Sequence, residues 1–125
     1  ADEGLHSFDD VRKHHAMGAA QGGSIKMIKL GGVTRAHQAT KLFDELGMHV
    51  NLAGKIAETS ISSAAVLHLG AAAPSIEWGT SCTCQFLKTD IARNPVQVID
   101  GKANVPTGAG LGVEVDEDAL AEFAR

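Results

Sequence analysis

The longest regular pattern of apolar positions in this chain is helical. Apolar residues spaced three and four apart run through residues 35–46 and would form one face of an amphipathic helix. The members of that face are Ala36, Ala39, Leu42, Phe43 and Leu46. Thr34 is a suitable N-cap for this helix, and Gly47 follows it where a left-handed residue is favoured.

Three further helices are predicted. Residues 7–17 begin with Ser7 as an N-cap, and Asp10 can complete a weak capping box with it. A stretch rich in Ala and Leu begins at Thr59 or Ser60 and runs to about residue 73, where Pro74 stops it. Acidic residues cap the last helix, over 116–125.

Strands are predicted between these helices. Polar and apolar side chains alternate over residues 24–30, which places Lys26 on the opposite face from Ile25 and Met27. Shorter strands are predicted over 49–53 and 75–78, and a hairpin over 96–105 turns at Asp100-Gly101. Strands that alternate with helices form a parallel sheet with right-handed crossovers, so the fold class is α/β.

The pattern predicts only part of a closed fold. Asp2 lies where a strand should end, and three βα steps cannot close an eight-stranded barrel. We therefore expect this chain to be the C-terminal portion of a larger (β/α)8 barrel whose upstream part it needs. We expect residues 1–94 to supply barrel units, and residues 95–125 to form a hairpin and a helix.

Composition limits the possible partners. The chain has 125 residues and a net charge of -4, and it lacks the basic stripe of a nucleic-acid-binding protein and an apolar run long enough for a membrane. Cys82 and Cys84 are too close for an unstrained disulfide and lack a second ligand pair for zinc. Reduced thiols, and a start without the features of a signal peptide, predict a cytoplasmic protein.

Two residues are candidates for chemistry, and spacing alone leaves both open. Lys26 is either a solvated lysine on an edge strand or an interior lysine that is partnered or used as a base. Asp2 is either a capping or solvated acid or a metal ligand at a strand end. The six histidines form no cluster and are interpreted as surface or packing residues.

Five short motifs, in their order and spacing, resemble the enolase superfamily, and within it the muconate lactonizing enzyme subgroup (the mandelate racemase/muconate lactonizing enzyme C-terminal domain). The motifs are Ala1-Asp2-Glu3, Ile25-Lys26-Met27-Ile28-Lys29-Leu30-Gly31-Gly32, Ala57-Glu58-Thr59-Ser60-Ile61, Glu77-Trp78-Gly79-Thr80 and the glycine-rich run 105–113. The resemblance implies an N-terminal capping domain followed by a modified (β/α)8 barrel, with the hairpin and helix of residues 95–125 returning to pack on the capping domain.

The resemblance also implies a reaction and its residues. Members abstract the proton α to a carboxylate, and a divalent metal, Mg2+ or Mn2+, stabilises the enediolate. Asp2 matches the third metal ligand, Glu3 the acidic residue beside it, and Lys26 the second catalytic lysine. The other two ligands and the other lysine would lie upstream. A lysine beside such a cation is expected to have a lowered pKa, which suits a base.

One motif departs from the family pattern. The subgroup often carries a glutamate in a Gly-Thr-Glu-like motif, and Ser81 stands in its place. This favours a proline-type or other amino-acid derivative as the small carboxylate substrate, with epimerisation, racemisation or dehydration as the reaction. Lys55, Ser81 and Trp78 are candidate substrate contacts, although Lys55 could equally be a solvated loop residue and Trp78 a core residue.

Two other readings stay open. The first is a muconate-type cycloisomerase or a dipeptide epimerase. The second is that this chain alone is an inactive structural fragment, because one ligand and one lysine cannot complete the site. We also expect a homo-oligomer, since strand edges left open favour association.

Overall fold

A three-stranded parallel sheet forms the centre of the computed structural model, which describes residues 1–124. Its strands are β1 (Gly22–Ile25), β2 (His49–Ala53) and β3 (Thr80–Ser81), in the order β1-β2-β3. Gly22 pairs with His49, and Leu52 pairs with Thr80. The prediction of parallel strands joined through helices is therefore confirmed.

Helices precede, connect and follow these strands. They are α1 (Phe8–Ala16), α2 (Met27–Leu30), α3 (Val33–Glu45), α4 (Ser60–Ala72) and α5 (Glu117–Phe123), with a 3-10 turn at Thr83–Phe86. Ser7 caps α1 by accepting a hydrogen bond from the Asp10 amide, as predicted. Asp116 caps α5, and Arg125, the last residue of the predicted helix, lies outside the described residues.

The main core lies between the sheet and the helices α1, α3 and α4. Phe43, Ala36 and Ala39 on α3 are fully buried, as the apolar spacing predicted, and they pack with Val50 and Leu52 of β2. A second cluster joins α4 to the segment that follows β3 and to residues 95–124, called the tail below. Its buried members are Ala64, Leu67, Cys82, Cys84 and Val96. The tail therefore packs on α4, while its contact with another domain stays a prediction.

The predicted strand over 24–30 is wrong in its second half. β1 ends at Ile25, and residues 27–30 form the single helical turn α2. Met27 and Leu30 both pack against the core, which residues three apart can do on a helix but not on a strand. Short apolar runs fit both periods, and here tertiary packing selects the helix.

Thr34 is not the N-cap of α3. The helix begins at Val33, and Gly32 caps it with its backbone carbonyl, which accepts the Ala36 amide at 3.1 Å. Gly31 and Gly32 have φ angles of 88° and 118°, which side chains disfavour, so this glycine pair reverses the chain within two residues. Because α3 already begins at Val33, Thr34 lies inside its first turn and cannot occupy the N-cap position.

The third strand also differs from its prediction over 75–78. The Glu77 carboxylate accepts the Val50 amide at 3.3 Å and so takes a hydrogen bond that a strand partner would make. Backbone bonds to β2 are already made by the Trp78 amide and the Gly79 carbonyl, both at 3.0 Å. A turn closed by the Gly79 amide on the Ile76 carbonyl delays the regular strand to Thr80–Ser81.

The predicted hairpin is reduced to its turn. Ile99 and Lys102 exchange both backbone hydrogen bonds at 2.9 Å, and Asp100 and Gly101 have the positive φ angles of a tight turn. The arms do not continue as strands, because the Val96 amide donates to the Ser60 hydroxyl instead of to the opposite arm.

Asp90 caps α4 from a distant loop. Its carboxylate accepts the Ser60 amide at 2.9 Å and the Ser60 hydroxyl at 2.6 Å, whereas Thr59 makes no side-chain cap. Replacing Asp90 by alanine should therefore destabilise the fold by about 1–2 kcal/mol, the usual cost of losing a cap. The urea midpoint of the complete protein measures this, with Asp44→Ala on the exposed side of α3 as the control. Equal midpoints for the two variants would contradict the capping role.

Candidate active site

The candidate site lies on the face of the sheet that carries Ser24. On β1, Gly22 and Ser24 lie on this face, whereas Ile25 is buried on the opposite face, so Lys26 continues the face of Ser24. On β2, Asn51 lies on the same face, because its carboxamide oxygen accepts the Ser24 hydroxyl at 3.2 Å. Side chains that alternate in this way place Lys26 at the carboxyl edge of the sheet, where barrels hold their chemistry.

Asp2 reaches the same edge from the other side of β1. The Ala1 nitrogen donates to the Gly22 carbonyl at 2.7 Å, and the Ala1 carbonyl accepts the Ser24 amide at 2.8 Å. These two bonds are the pattern of a parallel ladder, so Ala1 continues the sheet beyond β1. The residue after Ala1 therefore emerges at the carboxyl edge beside Lys26.

Lys26 lies between two carboxylates. Its Nζ is 2.7 Å from Asp2 Oδ1 and also contacts Glu3 Oε1. The lysine side chain is 10% exposed, whereas the side chains of Asp2 and Glu3 are 51% and 67% exposed. The lysine is thus buried while its partners face the open side of the edge, and the reading of a solvated edge lysine is excluded.

These contacts set the protonation of the pair. Asp2, and next Glu3, raise the pKa of Lys26 above its ordinary value, because their charges stabilise the ammonium form. Lys26 and Lys29 lower the pKa of Glu3 to about 2. The direction for Lys26 is opposite to the lowering that we expect beside a divalent cation.

A second lysine, not singled out by the sequence, joins this group. Lys29 Nζ is 2.9 Å from Glu3 Oε2, and its side chain is 9% exposed. The signal that could have identified it is the spacing of three between Lys26 and Lys29, which places both on one side of the turn α2.

Lys55 and Ser81 lie at the same carboxyl edge, on the two following strands. Ser81 is the last residue of β3, and its carbonyl accepts the Gly54 amide at 3.0 Å. Lys55 follows directly and is exposed, with its carbonyl bonded to the Thr83 hydroxyl. A Cβ at Gly54 would lie 3.0 Å from the Ser81 carbonyl oxygen, so this close crossing of the two loops requires glycine.

Trp78 lies apart from these residues. Its ring is 5.5 Å from the His49 ring and packs over Gly22, so it occupies the amino end of the sheet. The predicted position at the carboxyl end of a strand is wrong, because β3 begins two residues after Trp78. Four residues of strand, about 13 Å, separate this level from Lys26.

The donors present suit part of a magnesium or manganese site. Asp2 offers an exposed carboxylate oxygen, the kind of ligand that these cations prefer. No group of three His, Cys, Asp or Glu side chains that could hold a metal occurs among residues 1–124. Since Mg2+ is often bound by one or two carboxylates with other oxygens, this chain fits as a contributor to a shared site.

The structure combines parallel βα units with an acid and a lysine at the carboxyl edge of the sheet. These features define part of an α/β barrel of the type found in enzymes. The family model described as enolase C-terminal domain-like matches residues 1–119. The chain therefore belongs to the enolase superfamily, as a C-terminal barrel portion of the muconate lactonizing enzyme type.

Relatives and solved structures agree with this family. The chain is 33% identical to chloromuconate cycloisomerase of Cupriavidus pinatubonensis over 125 residues, which cover 99% of this chain and 33% of the relative. It is 30% identical to muconate cycloisomerase 1 of Rhodococcus opacus, with 100% and 34% covered. Muconate lactonizing enzyme from Pseudomonas putida superposes with a TM-score of 0.92 at 30% identity, with 100% and 35% covered.

The chain thus spans about a third of the length of the relatives that it matches. This agrees with the prediction that it is part of a larger enzyme. Among the described residues, no helix has both the length and the apolar character needed to cross a membrane.

Proposed function

We propose that this chain supplies one side of an active site that removes the proton α to the carboxylate of a small substrate. The observation that carries the proposal is the ion pair of 2.7 Å between Lys26 Nζ and Asp2 Oδ1 at the carboxyl edge of the sheet. These two residues are 24 positions apart in sequence and belong to different strand ends, so the fold brings them together.

Each residue has a distinct role in this proposal. Lys26 Nζ carries the proton to or from the substrate carbon, and Asp2 holds a divalent cation together with ligands outside this chain. A bound Mg2+ or Mn2+ supplies Lewis-acid stabilisation of the charge that develops on the substrate carboxylate and neutralises part of the acidic surroundings of Lys26. Glu3 keeps the Lys26 ammonium group in place through its own contact.

We propose a proline-type or other N-substituted amino-acid derivative as the substrate. Ser81 at the carboxyl edge supplies a neutral hydroxyl where subgroup members often carry a glutamate, which suits a substrate of different polarity. Lys55 at the same edge is exposed and supplies a cation for an anionic substrate group. Epimerisation, racemisation and dehydration of such a substrate all begin with the same proton transfer.

A cycloisomerase or a dipeptide epimerase is the second candidate function. The observation in favour of a cycloisomerase is that several relatives, which are 25–33% identical to this chain, are named muconate or chloromuconate cycloisomerases. The serine at position 81 is the observation against it.

Hydrogen exchange distinguishes these candidates. The complete protein that carries this chain, loaded with Mg2+ or Mn2+ in D2O, should introduce deuterium at the α carbon of hydroxyproline-like compounds, measured by mass spectrometry. Dipeptides and cis,cis-muconate are offered in parallel. Turnover of one of these alone would favour the second candidate, and no reaction with any of the three classes would contradict the proposed substrate classes.

We also propose that residues 1–125 need the upstream part of the protein for activity. A groove of about 600 Å3 lies beside β3 and the tail, and it is lined mainly by apolar residues. Phe86 lines it and is 78% exposed. An open strand edge beside such a groove is a surface that further barrel strands would cover.

A further inference from the structure

The side chain of Lys29 is covered to an extent that lysine seldom shows, although the residue as a whole is half-buried. Its side chain is 9% exposed, although it lies on a short helical turn at the rim of the sheet. An ammonium group has three hydrogens to donate and is costly to bury without acceptors. The contacts of Lys29 should therefore account for its position.

All three acceptors of Lys29 come from two adjacent residues. Its Nζ lies 2.9 Å from Glu3 Oε2, 3.2 Å from the Glu3 carbonyl and 3.4 Å from the Asp2 carbonyl. Two of the three contacts are to backbone oxygens. Lys29 therefore holds the path of the chain at residues 2 and 3, and not only a charged side chain.

The sheet itself does not hold this segment. Its last ladder bond in this region is the one from the Ser24 amide to the Ala1 carbonyl. Beyond it, the Asp2 carbonyl also accepts the Leu5 amide at 3.1 Å, which closes a turn. Lys26 contacts the two carboxylates of this segment, and Lys29 adds contacts from α2 to the backbone carbonyls of both residues.

The two lysines divide Glu3 between them. Lys26 contacts Oε1 and Lys29 contacts Oε2, so each carboxylate oxygen has its own ammonium partner. Lys29 therefore restricts the movement of the Glu3 carboxylate toward Lys26. Asp2 keeps its own contact with Lys26.

We propose that Lys29 is a positioning residue that clamps the Asp2–Glu3 segment and so directs the Asp2 carboxylate toward the bound cation and Lys26. This role rests on the proposed function, because it assumes that Asp2 is a ligand. Lys29 itself touches neither substrate nor metal in this proposal.

Metal affinity tests the clamp directly. Lys29→Met in the complete protein should weaken Mn2+ binding about 10- to 100-fold, the usual effect of removing a group that orients a ligand. Lys41→Met, which removes an exposed lysine from α3, is the matched control and should bind as the wild type does. Calorimetric titration measures the affinity, and thermal midpoints show whether each variant is folded.

A conservative variant and kinetics separate positioning from mere stabilisation. Lys29→Arg keeps donors for the same oxygens and should retain most of the Mn2+ affinity. In Lys29→Met, saturating Mn2+ should recover most of kcat while the concentration of Mn2+ needed stays high. If Lys29→Met does not fold, Lys29→Gln, which keeps two donor hydrogens, should give an intermediate loss.

The outcomes that overturn the inference are distinct from failure of the proposed function. Lys29→Met that is less stable but binds Mn2+ as tightly as Lys41→Met would make Lys29 a purely structural residue. Lys29→Arg that loses as much affinity as Lys29→Met would show that the donors are not responsible. A wild-type protein that binds no divalent cation would instead overturn the proposed function, and the clamp with it.

Discussion

Replacing Lys26 by methionine should slow α-proton exchange in the complete protein about 100- to 10,000-fold, the range that a positioned acid or base contributes. Methionine fills much of the same buried space but cannot carry a proton. The variant should fold, because the carboxylates left behind on Asp2 and Glu3 are 51% and 67% exposed and stay solvated. The rate of deuterium incorporation, measured at saturating metal and substrate, gives the result.

Arginine at position 26 separates proton transfer from charge. Lys26→Arg keeps the positive charge between the two carboxylates, but a guanidinium does not lose its proton in proteins. The exchange rate should therefore fall about as far as in Lys26→Met. Lys41→Met serves as the surface control. Exchange by Lys26→Arg at close to the wild-type rate would mean that Lys26 acts only through its charge, and the assignment as acid or base would be wrong.

The contacts of Lys26 explain why the metal matters for this prediction. Asp2 and Glu3 raise the pKa of Lys26, so with these neighbours alone the residue is an ammonium and a poor base near neutral pH. The proposed cation on Asp2 would weaken the interaction between its carboxylate and Lys26, and would so remove part of that stabilisation.

Local signals in the sequence predicted α1, α3, α4 and α5 well, whereas α2 was predicted as part of a strand. The cap Ser7 with Asp10, the apolar face of α3 and the stop at Pro74 are short-range features, and each describes interactions within one element. The strands were predicted less accurately, because their ends depend on partners. β1 stops where Met27 and Leu30 can reach the core as a helical turn, and no alternation within residues 24–30 indicates that packing.

The candidate site was predictable in part. The resemblance to a family joined Asp2 and Lys26, because no strand pattern precedes Asp2 and Lys26 was placed inside the predicted strand over 24–30. Lys29 was not predicted, since its three acceptors include two backbone carbonyls that are invisible in a sequence. Trp78 was placed at the wrong end of the sheet, because the Gly79 amide closes a turn on the Ile76 carbonyl and β3 begins only at Thr80.

Replacing Asp2 by asparagine should weaken binding of Mn2+ to the complete protein at least about 100-fold, since removing groups that only orient a ligand already costs 10- to 100-fold. The amide keeps the shape of the side chain and one oxygen but loses the charge that a hard cation favours. Asp44→Asn on the exposed side of α3 removes the same charge elsewhere and should leave the affinity unchanged. Titration calorimetry with Mn2+ provides the comparison.

The response to excess metal separates the roles of Asp2 and Lys26. If Asp2 is a ligand, a higher concentration of Mn2+ should restore part of the exchange rate of Asp2→Asn, because the lost quantity is affinity. The same treatment should not restore Lys26→Met, which lacks the group that carries the proton. Wild-type Mn2+ affinity in Asp2→Asn would show that the carboxylate serves only as a partner of Lys26, and the metal ligands would then have to be other residues.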